Sequence, residues 1–264
     1  MTEQDKDTFL GNLNEQGYAI LRNVVGPSLL NQLRTELDRA IDIEAAYHNN
    51  DNHPDRGMVQ ICPLYGKSFL KLLDIDALID PINTAMGNGS ILYVYTSSFL
   101  PPSGGTNRST RIHVDRAQYD NGRLEMLGCL VLLDDFTAHN GATRYLPGSH
   151  TLLEKPTQED FDNNALTLEE KAGSVFFFNA RLWHTSGTNF SDKSRGALAL
   201  GIVPPYYKQK FDLPRAMKEA GIETLGLPLR VLQKLGFHSI PPRSLAEYYD
   251  PKLRTYTQAS EWNT

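Results

Sequence analysis

Cysteine and long apolar runs are the two features this sequence most lacks. Among 264 residues only Cys62 and Cys129 are cysteines, and they lie far apart without a Cys-x-x-Cys pattern. We interpret them as reduced thiols of a cytoplasmic protein, and Cys129, inside an apolar segment, as a buried structural residue. No stretch approaches the eighteen apolar residues of a membrane span, and the first residues are polar and acidic. We therefore expect neither a signal peptide nor a transmembrane helix.

An excess of positive charge is also missing. The 26 Lys and Arg residues are outnumbered by 31 Asp and Glu residues, which gives a net charge of −5. This balance argues against nucleic acid or an anionic membrane as the main partner. The chain has 40% hydrophobic residues and neither an internal repeat nor a low-complexity tract. A chain of this length and composition suits a single domain, residues 1–264, with a sizeable core, and leaves its oligomeric state open.

The spacing of apolar residues changes from helical to strand-like along the chain. After a predicted strand at Gly17–Val25, helical periodicity predicts a helix with its buried stripe from Leu29 to Ile41, and a second helix from Leu72 to Met86 that is interrupted near Pro81. Alternating or continuous apolar runs then predict strands at Ile91–Leu100, Leu127–Leu133, Gly173–Phe178, Trp183–Ser186 and Arg195–Val203.

This pattern predicts a mainly β protein, a β-sandwich or jelly roll with helical support. We expect the β core at about residues 90–203, helices before it, and a helical lid segment at about 204–264. The polar stretch Ala46–Gly57 and the segment Pro101–Thr110 are further candidate lids, because their composition is typical of loops.

Two candidate metal ligands lie in the segment Arg111-Ile112-His113-Val114-Asp115. Side chains alternate on an extended strand, so His113 and Asp115 are expected on the same face. His184, which follows an apolar strand and Trp183, can complete a group of two histidines and one carboxylate. This facial triad is typical of non-haem Fe(II) enzymes, and it leaves coordination positions open for oxygen chemistry.

Arg195 is the candidate anchor for a carboxylate. It lies eleven residues after His184, beyond a turn-prone stretch, and small residues share its strand face: Ala197, Ala199 and Gly201. A strand face with so little bulk leaves a slot for an extended dicarboxylate, and the guanidinium is a planar fork that is always charged. The alternative is a surface ion pair between Arg195 and Asp192.

Together these residues resemble one family. The motif His113-Val114-Asp115, the block Asn140-Gly141-Ala142-Thr143 with Pro147-Gly148-Ser149-His150, and His184 with Arg195 look like the phytanoyl-CoA dioxygenase family. This family is a branch of the Fe(II)/2-oxoglutarate-dependent oxygenases, and the resemblance runs from about Gly17 to Val203. It implies a double-stranded β-helix, the cupin-like jelly roll, and a dioxygenase that uses Fe(II), 2-oxoglutarate and O2.

The resemblance also implies roles for single residues. His113, Asp115 and His184 would bind iron, and Arg195 would bind the distal carboxylate of 2-oxoglutarate with help from Ser186. Because Asp115 fills the position that is small in related halogenases, hydroxylation of a small-molecule metabolite, or a related desaturation or cyclisation, is favoured. Succinate and CO2 would be released.

Other residues keep two interpretations. Thr143 either reaches the cosubstrate or makes an ordinary cross-strand contact. Arg111, where many relatives have an amide, contacts either the keto-acid end of 2-oxoglutarate or the substrate. With Arg108 and Arg116 it forms either a solvated rim or a recognition site for an anionic small molecule. We expect His150 to be structural and His139 to be exposed.

Two alternative functions remain on the sequence alone. A cupin-type metal-dependent isomerase or epimerase would also place His and carboxylate groups inside a β-barrel, but it would not need Arg195. A non-catalytic jelly-roll binding protein would carry the desolvation cost of buried polar ligands without a metal.

Overall fold

The computed structural model describes residues 1–47, 53–55, 57–105, 108–119 and 122–250. Its helices are α1 (Glu3–Glu15), α2 (Pro27–Ala45), α3 (Lys67–Leu72), α4 (Asp76–Met86), α5 (Gln158–Asn164), α6 (Leu213–Glu219), α7 (Leu229–Leu235) and α8 (Leu245–Tyr249). Its strands are β1 (Tyr18–Leu21), β2 (Ile91–Leu100), β3 (Leu127–Leu132), β4 (Thr143–Tyr145), β5 (Leu166–Thr167), β6 (Val175–Asn179), β7 (His184–Ser186) and β8 (Arg195–Val203).

The strands form two antiparallel sheets. The major sheet has the order β1-β6-β3-β8-β2, and the minor sheet has the order β5-β4-β7. The longest pairing joins β2 to β8 from Ile91↔Val203 to Leu100↔Arg195, with an irregularity between Leu92 and Val94. The expected mainly β architecture with helical support is confirmed.

Both faces of the major sheet are covered, as its continuous apolar strands require. All six residues of β3 are buried. On the outer face, Cys129 and Val131 belong to the core that also contains buried residues of α1 to α4. On the inner face, Leu130 and Leu132 belong to a second core with Tyr145 of the minor sheet. Cys129 is buried and free, as expected. The inner face is the one that continues into the candidate site.

The helical predictions needed several corrections. The helix expected at Leu72–Met86 begins only at Asp76, as α4, and α3 ends at Leu72, so the break lies between α3 and α4 and not at Pro81. Pro81 lies inside α4, where it removes one backbone donor without ending the helix. The strand expected at Gly17–Val25 is limited to β1. Helix α1, which begins at a capping box of Thr2 and Asp5, was not predicted. Of the loop expected at Ala46–Gly57, residues 48–52 and 56 lie outside the described residues.

The C-terminal segment divides into two parts. Buried residues of α6 and α7 join the outer core, and Lys234 Nζ donates to Ser90 Oγ at 2.7 Å. These two helices therefore lie on the face of the major sheet away from the site, whereas Lys210, before α6, lines the site cavity. The lid predicted for 204–264 stays a prediction for the residues before α6. Residues 251–264 lie outside the described residues. No described helix is long and apolar enough to span a membrane.

Candidate active site

His113 is positioned by a backbone bridge to β7. The N–H of His113 donates to the carbonyl of His184 at 3.0 Å, and the N–H of His184 donates back at 3.0 Å. The N–H of Asp115 instead donates to the carbonyl of Ala180 at 2.8 Å. The regular strand expected at 111–115 is therefore wrong: only a single antiparallel bridge forms at His113. The outcome expected from alternation is nevertheless present, because both side chains approach His184.

The three predicted ligands lie close together. Their ligand atoms are all within 4.8 Å of one another. Asp115 Oδ1 is 3.5 Å from His113 Nε2 and 3.9 Å from His184 Nε2. His113 Nδ1 lies 2.7 Å from the carbonyl of Arg111, and His184 Nδ1 lies 2.9 Å from that of Leu182. Because a carbonyl only accepts, both Nδ1 atoms carry the proton. Both Nε2 lone pairs therefore face the shared space and Asp115.

The charges of the group suit a divalent cation. Burial acts to raise the pKa of Asp115, but the imidazoles of His113 and His184 beside it outweigh that effect, so the pKa is lowered. Burial lowers the pKa of His184. Burial also acts to lower the pKa of His113, but its contact with Asp115 leaves that pKa raised. An ionised carboxylate beside a neutral His184 is the donor form that metal binding requires.

A cavity of about 510 Å³ opens in front of this group. A volume of this size suits a small-molecule ligand. Its wall includes the three ligands together with the other expected residues Thr143, Ser186 and Arg111. Apolar side chains of the inner face complete the wall, among them Leu130, Phe176, Phe178 and Ala199.

Arg195 does not line this cavity. It begins β8 on the face of Ala199 and Gly201, which do line it, and is itself 1% exposed. Its three guanidinium nitrogens have no hydrogen-bond partner among the described residues. Burial lowers the pKa of Arg195 to about 10, which Asp134 partly opposes. The surface ion pair with Asp192 considered as an alternative is wrong, because Asp192 is exposed whereas Arg195 is buried and has no hydrogen-bond partner to its guanidinium among the described residues.

Thr143 and Ser186 are directly opposite each other on β4 and β7. Ser186 Oγ also lies 2.8 Å from Ser109 Oγ, in a short 3-10 turn that spans Arg108–Thr110. Ser109 lines the cavity but was not predicted, because nothing in its loop sequence marks it as a neighbour of Ser186. The turn Arg108–Thr110, at the end of the predicted lid segment, therefore contacts the strand that carries His184, and residues 106 and 107 of that segment lie outside the described residues.

The cations near the cavity differ in their surroundings. Arg108 forms an ion pair with Asp55 at 2.9 Å, and Arg116 stacks 5.2 Å from the ring centre of Tyr207. Arg111 is exposed and lines the cavity, as does Lys210, which sequence reasoning missed. Lys210 Nζ donates to the neutral Gln60 Oε1 at 3.1 Å.

His139 and His150 lie where the sequence suggested. Nε2 of buried His150 is 3.1 Å from the carbonyl of Asn14, and His139 is exposed and stacked on Phe190. Neither belongs to the described group that could hold a metal. Both observations agree with the non-ligand roles expected for these two side chains.

The residues present fit an iron ion and 2-oxoglutarate. Two imidazole nitrogens and a carboxylate form the donor set of a facial triad. A buried guanidinium without an anionic partner is costly by itself, because a charge removed from water needs compensation. The distal carboxylate of a keto diacid is a group that would compensate it.

Known proteins are similar to this chain in sequence or in fold. The chain is 29% identical over 246 residues to the uncharacterized protein Rv1501 of Mycobacterium tuberculosis, covering 90% of this chain and 89% of that one. It is 24% identical over 235 residues to the dioxygenase cdmA of Talaromyces verruculosus, covering 79% and 77%. The epimerase SnoN, solved with Fe3+, α-ketoglutarate and nogalamycin RO, aligns with a TM-score of 0.61 at 17% identity, covering 77% and 85%.

The family model described as phytanoyl-CoA dioxygenase matches residues 13–197. This match covers most of the chain, and the fold is the jelly roll expected from the sequence. The cofactor is iron(II), with 2-oxoglutarate and O2 as cosubstrates. The chain belongs to the phytanoyl-CoA dioxygenase family of Fe(II)- and 2-oxoglutarate-dependent oxygenases.

Proposed function

We propose that this chain is a hydroxylase that oxidises a small-molecule metabolite. The observation that carries the proposal is the pairing of a complete His113, Asp115 and His184 group with a buried arginine whose guanidinium has no hydrogen-bond partner among the described residues. A cupin-type isomerase that works without a cosubstrate explains the first feature but not the second. A silent binding module explains neither, because both features cost free energy of folding.

Each residue has a role in this proposal. His113, Asp115 and His184 would hold iron, and Arg195 would bind the distal carboxylate of 2-oxoglutarate, with Ser186 and Thr143 nearby. Bound iron(II) and 2-oxoglutarate supply the oxidising chemistry, in which O2 is consumed and succinate and CO2 are released. The apolar side chains of the inner wall make the surroundings of the ligand group less polar, which strengthens charge interactions there.

Asp115 favours hydroxylation, or a related desaturation or cyclisation, over halogenation. Its carboxylate occupies a ligand position that a halogenating enzyme would leave open. Epimerisation is the second candidate, because SnoN, a 2-oxoglutarate-dependent epimerase, shares the fold. The product distinguishes them: hydroxylation adds one oxygen atom to the substrate, whereas epimerisation leaves its mass unchanged.

The substrate is expected to carry an anionic group. Four charged side chains line the cavity, namely Arg108, Arg111, Lys210 and the metal ligand Asp115. Arg108 is compensated by Asp55, but the described residues offer no carboxylate to Arg111 or Lys210 within ion-pair distance. Once a cation is bound beside Asp115, the wall is positive, in contrast to the net negative charge of the protein. The apolar wall suits the rest of a small organic anion.

The proposal is tested by succinate formation. We expect release of succinate to require Fe(II), 2-oxoglutarate and O2 together, and to increase when a suitable organic anion is added. Mass spectrometry of the stimulating compound then identifies the reaction. Turnover without 2-oxoglutarate would support the cupin-type isomerase instead. A cytoplasmic location is also part of the proposal, and it is supported by the buried, unpaired Cys62 and Cys129.

A further inference from the structure

We propose that Phe136 is a positioning residue that keeps Arg195 available to the distal carboxylate of 2-oxoglutarate. The inference rests on the proposed function of Arg195. Phe136 is 2% exposed and follows β3 by four residues, with its N–H donating to the carbonyl of Glu170 at 2.8 Å. The central carbon of the Arg195 guanidinium lies 4.1 Å from the centre of its ring. No other described aromatic ring stacks on this guanidinium.

The ring addresses the cost of burying this charge. Arg195 has no hydrogen bond to its guanidinium within the described part of the chain and is almost completely removed from water. The negative face of an aromatic ring attracts a cation, and the attraction is strongest where both are desolvated. Stacking occupies one flat face of the guanidinium and leaves its N–H edges, which make bidentate contacts with carboxylates, unoccupied.

Asp134, the acidic residue whose charge acts on Arg195, is held by other partners. Asp134 Oδ2 accepts the N–H of Gly196 at 2.7 Å, and Asp134 Oδ1 lies 3.2 Å from Arg34 Nε. Asp134 influences Arg195 only through space, since no ion pair forms between them. If the ring were lost, Arg195 could turn towards Asp134 and compensate its charge there. Phe136 therefore acts against a competing ion pair as well as in favour of the stacked position.

A second stacked arginine of the same chain has the carboxylate partner that Arg195 lacks among the described residues. The Arg144 guanidinium carbon lies 5.4 Å from the ring centre of Phe161, which is 0% exposed. Arg144, however, donates to Asp162 Oδ1 at 2.8 Å and so has its own carboxylate. The two pairs share their chemistry, but only in the Arg195 pair does the guanidinium lack a carboxylate partner among the described residues. Phe161 is thus the matched control for Phe136.

The experiment measures ligand binding to protein loaded with nickel in place of iron, so that no turnover occurs. The variants are Phe136→Leu, Phe161→Leu and wild type, and the ligands are 2-oxoglutarate and 2-oxovalerate, which has a methyl group in place of the distal carboxylate. We expect Phe136→Leu to raise the Kd for 2-oxoglutarate about tenfold. We expect its Kd for 2-oxovalerate, and both Kd values of Phe161→Leu, to stay within about twofold of wild type.

A double-mutant cycle shows whether Phe136 acts through Arg195. In an Arg195→Met background, Phe136→Leu should have no further effect on the Kd for 2-oxoglutarate. Additive losses, or equal losses for both ligands, would make Phe136 an ordinary core residue and overturn the inference. If wild-type protein does not bind 2-oxoglutarate, the proposed function itself fails. Should Phe136→Leu not fold, Phe136→Met fills the same space without a ring and is expected to give the same pattern.

Discussion

The cations around the cavity illustrate two ways of placing positive charge. Arg195 is buried at the start of β8, stacked on Phe136 and without a hydrogen-bond partner among the described residues. Arg111 and Lys210 stand exposed at the cavity wall, where water solvates them. Burial makes the difference: a charge in water needs no partner, whereas a charge removed from water does. The buried arginine is therefore strong evidence for an anionic ligand, and the exposed pair is supporting evidence only.

The largest effect is expected at the metal ligands, because both the buried and the exposed cations serve ligands that react there. His184→Ala removes one of three donors, so we expect Fe(II)-dependent succinate formation to fall by at least about 100-fold. His139→Ala is the control, because His139 is exposed and contacts Phe190 rather than the ligand group. Iron affinity and turnover of both variants provide the measurement. Normal iron affinity in His184→Ala would show that the ligand assignment is wrong.

The next effect concerns the buried cation. Arg195→Met should raise the Kd for 2-oxoglutarate about 100-fold, since it removes a charge-assisted bidentate contact. Without ligand, the free energy of unfolding should be unchanged or higher, because the variant no longer buries an uncompensated charge. Arg195→Lys should restore binding only in part, because an ammonium lacks the planar fork. Unchanged 2-oxoglutarate binding in Arg195→Met would place the cosubstrate anchor elsewhere.

A smaller effect is expected at the exposed cations. Arg111→Gln and Lys210→Gln should each raise the Kd for an anionic substrate about threefold to fivefold, with little change in the Kd for 2-oxoglutarate. The loss should shrink as the salt concentration rises, because exposed charges are screened. Comparing succinate with hydroxylated product separates the roles. Equal loss of both for Arg111→Gln would assign that residue to the cosubstrate, and a neutral substrate would exclude the anion site.

The smallest effect is expected when the acidic partner of a cavity-lining cation is removed. Arg108 lines the cavity but is paired with Asp55, so Asp55→Asn adds a third uncompensated cation without altering any lining residue. We expect affinity for an anionic substrate to rise by no more than about threefold, because the pair is exposed. Asp162→Asn, which releases Arg144 away from this cavity, serves as control. A decrease in affinity would mean that the Arg108–Asp55 pair shapes the loop more than it sets the charge.

The sequence predicted the β part of the fold better than its helices. Continuous apolar runs such as β3 and β8 were recognised because strands buried on both faces leave few polar residues between their ends. Helix α1 was missed because its polar composition resembles a solvated terminus, and only Phe9 and Leu13 of it are buried. The sequence predicts a helix break near Pro81, but the break lies before α4. A proline can lie within a helix that packing supports, as Pro81 does in α4.

What the sequence determined by itself are the features that depend on local spacing. Alternation along β8 placed Arg195 on the face of Ala199 and Gly201, and the His113–Asp115 spacing placed two ligands beside each other even without a regular strand. Only the tertiary structure decided which distant residues meet them. Ser109 contacts Ser186 across 77 residues of chain, Phe136 stacks on Arg195, and Lys210 reaches the cavity from beyond β8. Such contacts follow from how two sheets and their loops pack, and sequence periodicity describes each strand but not its neighbours.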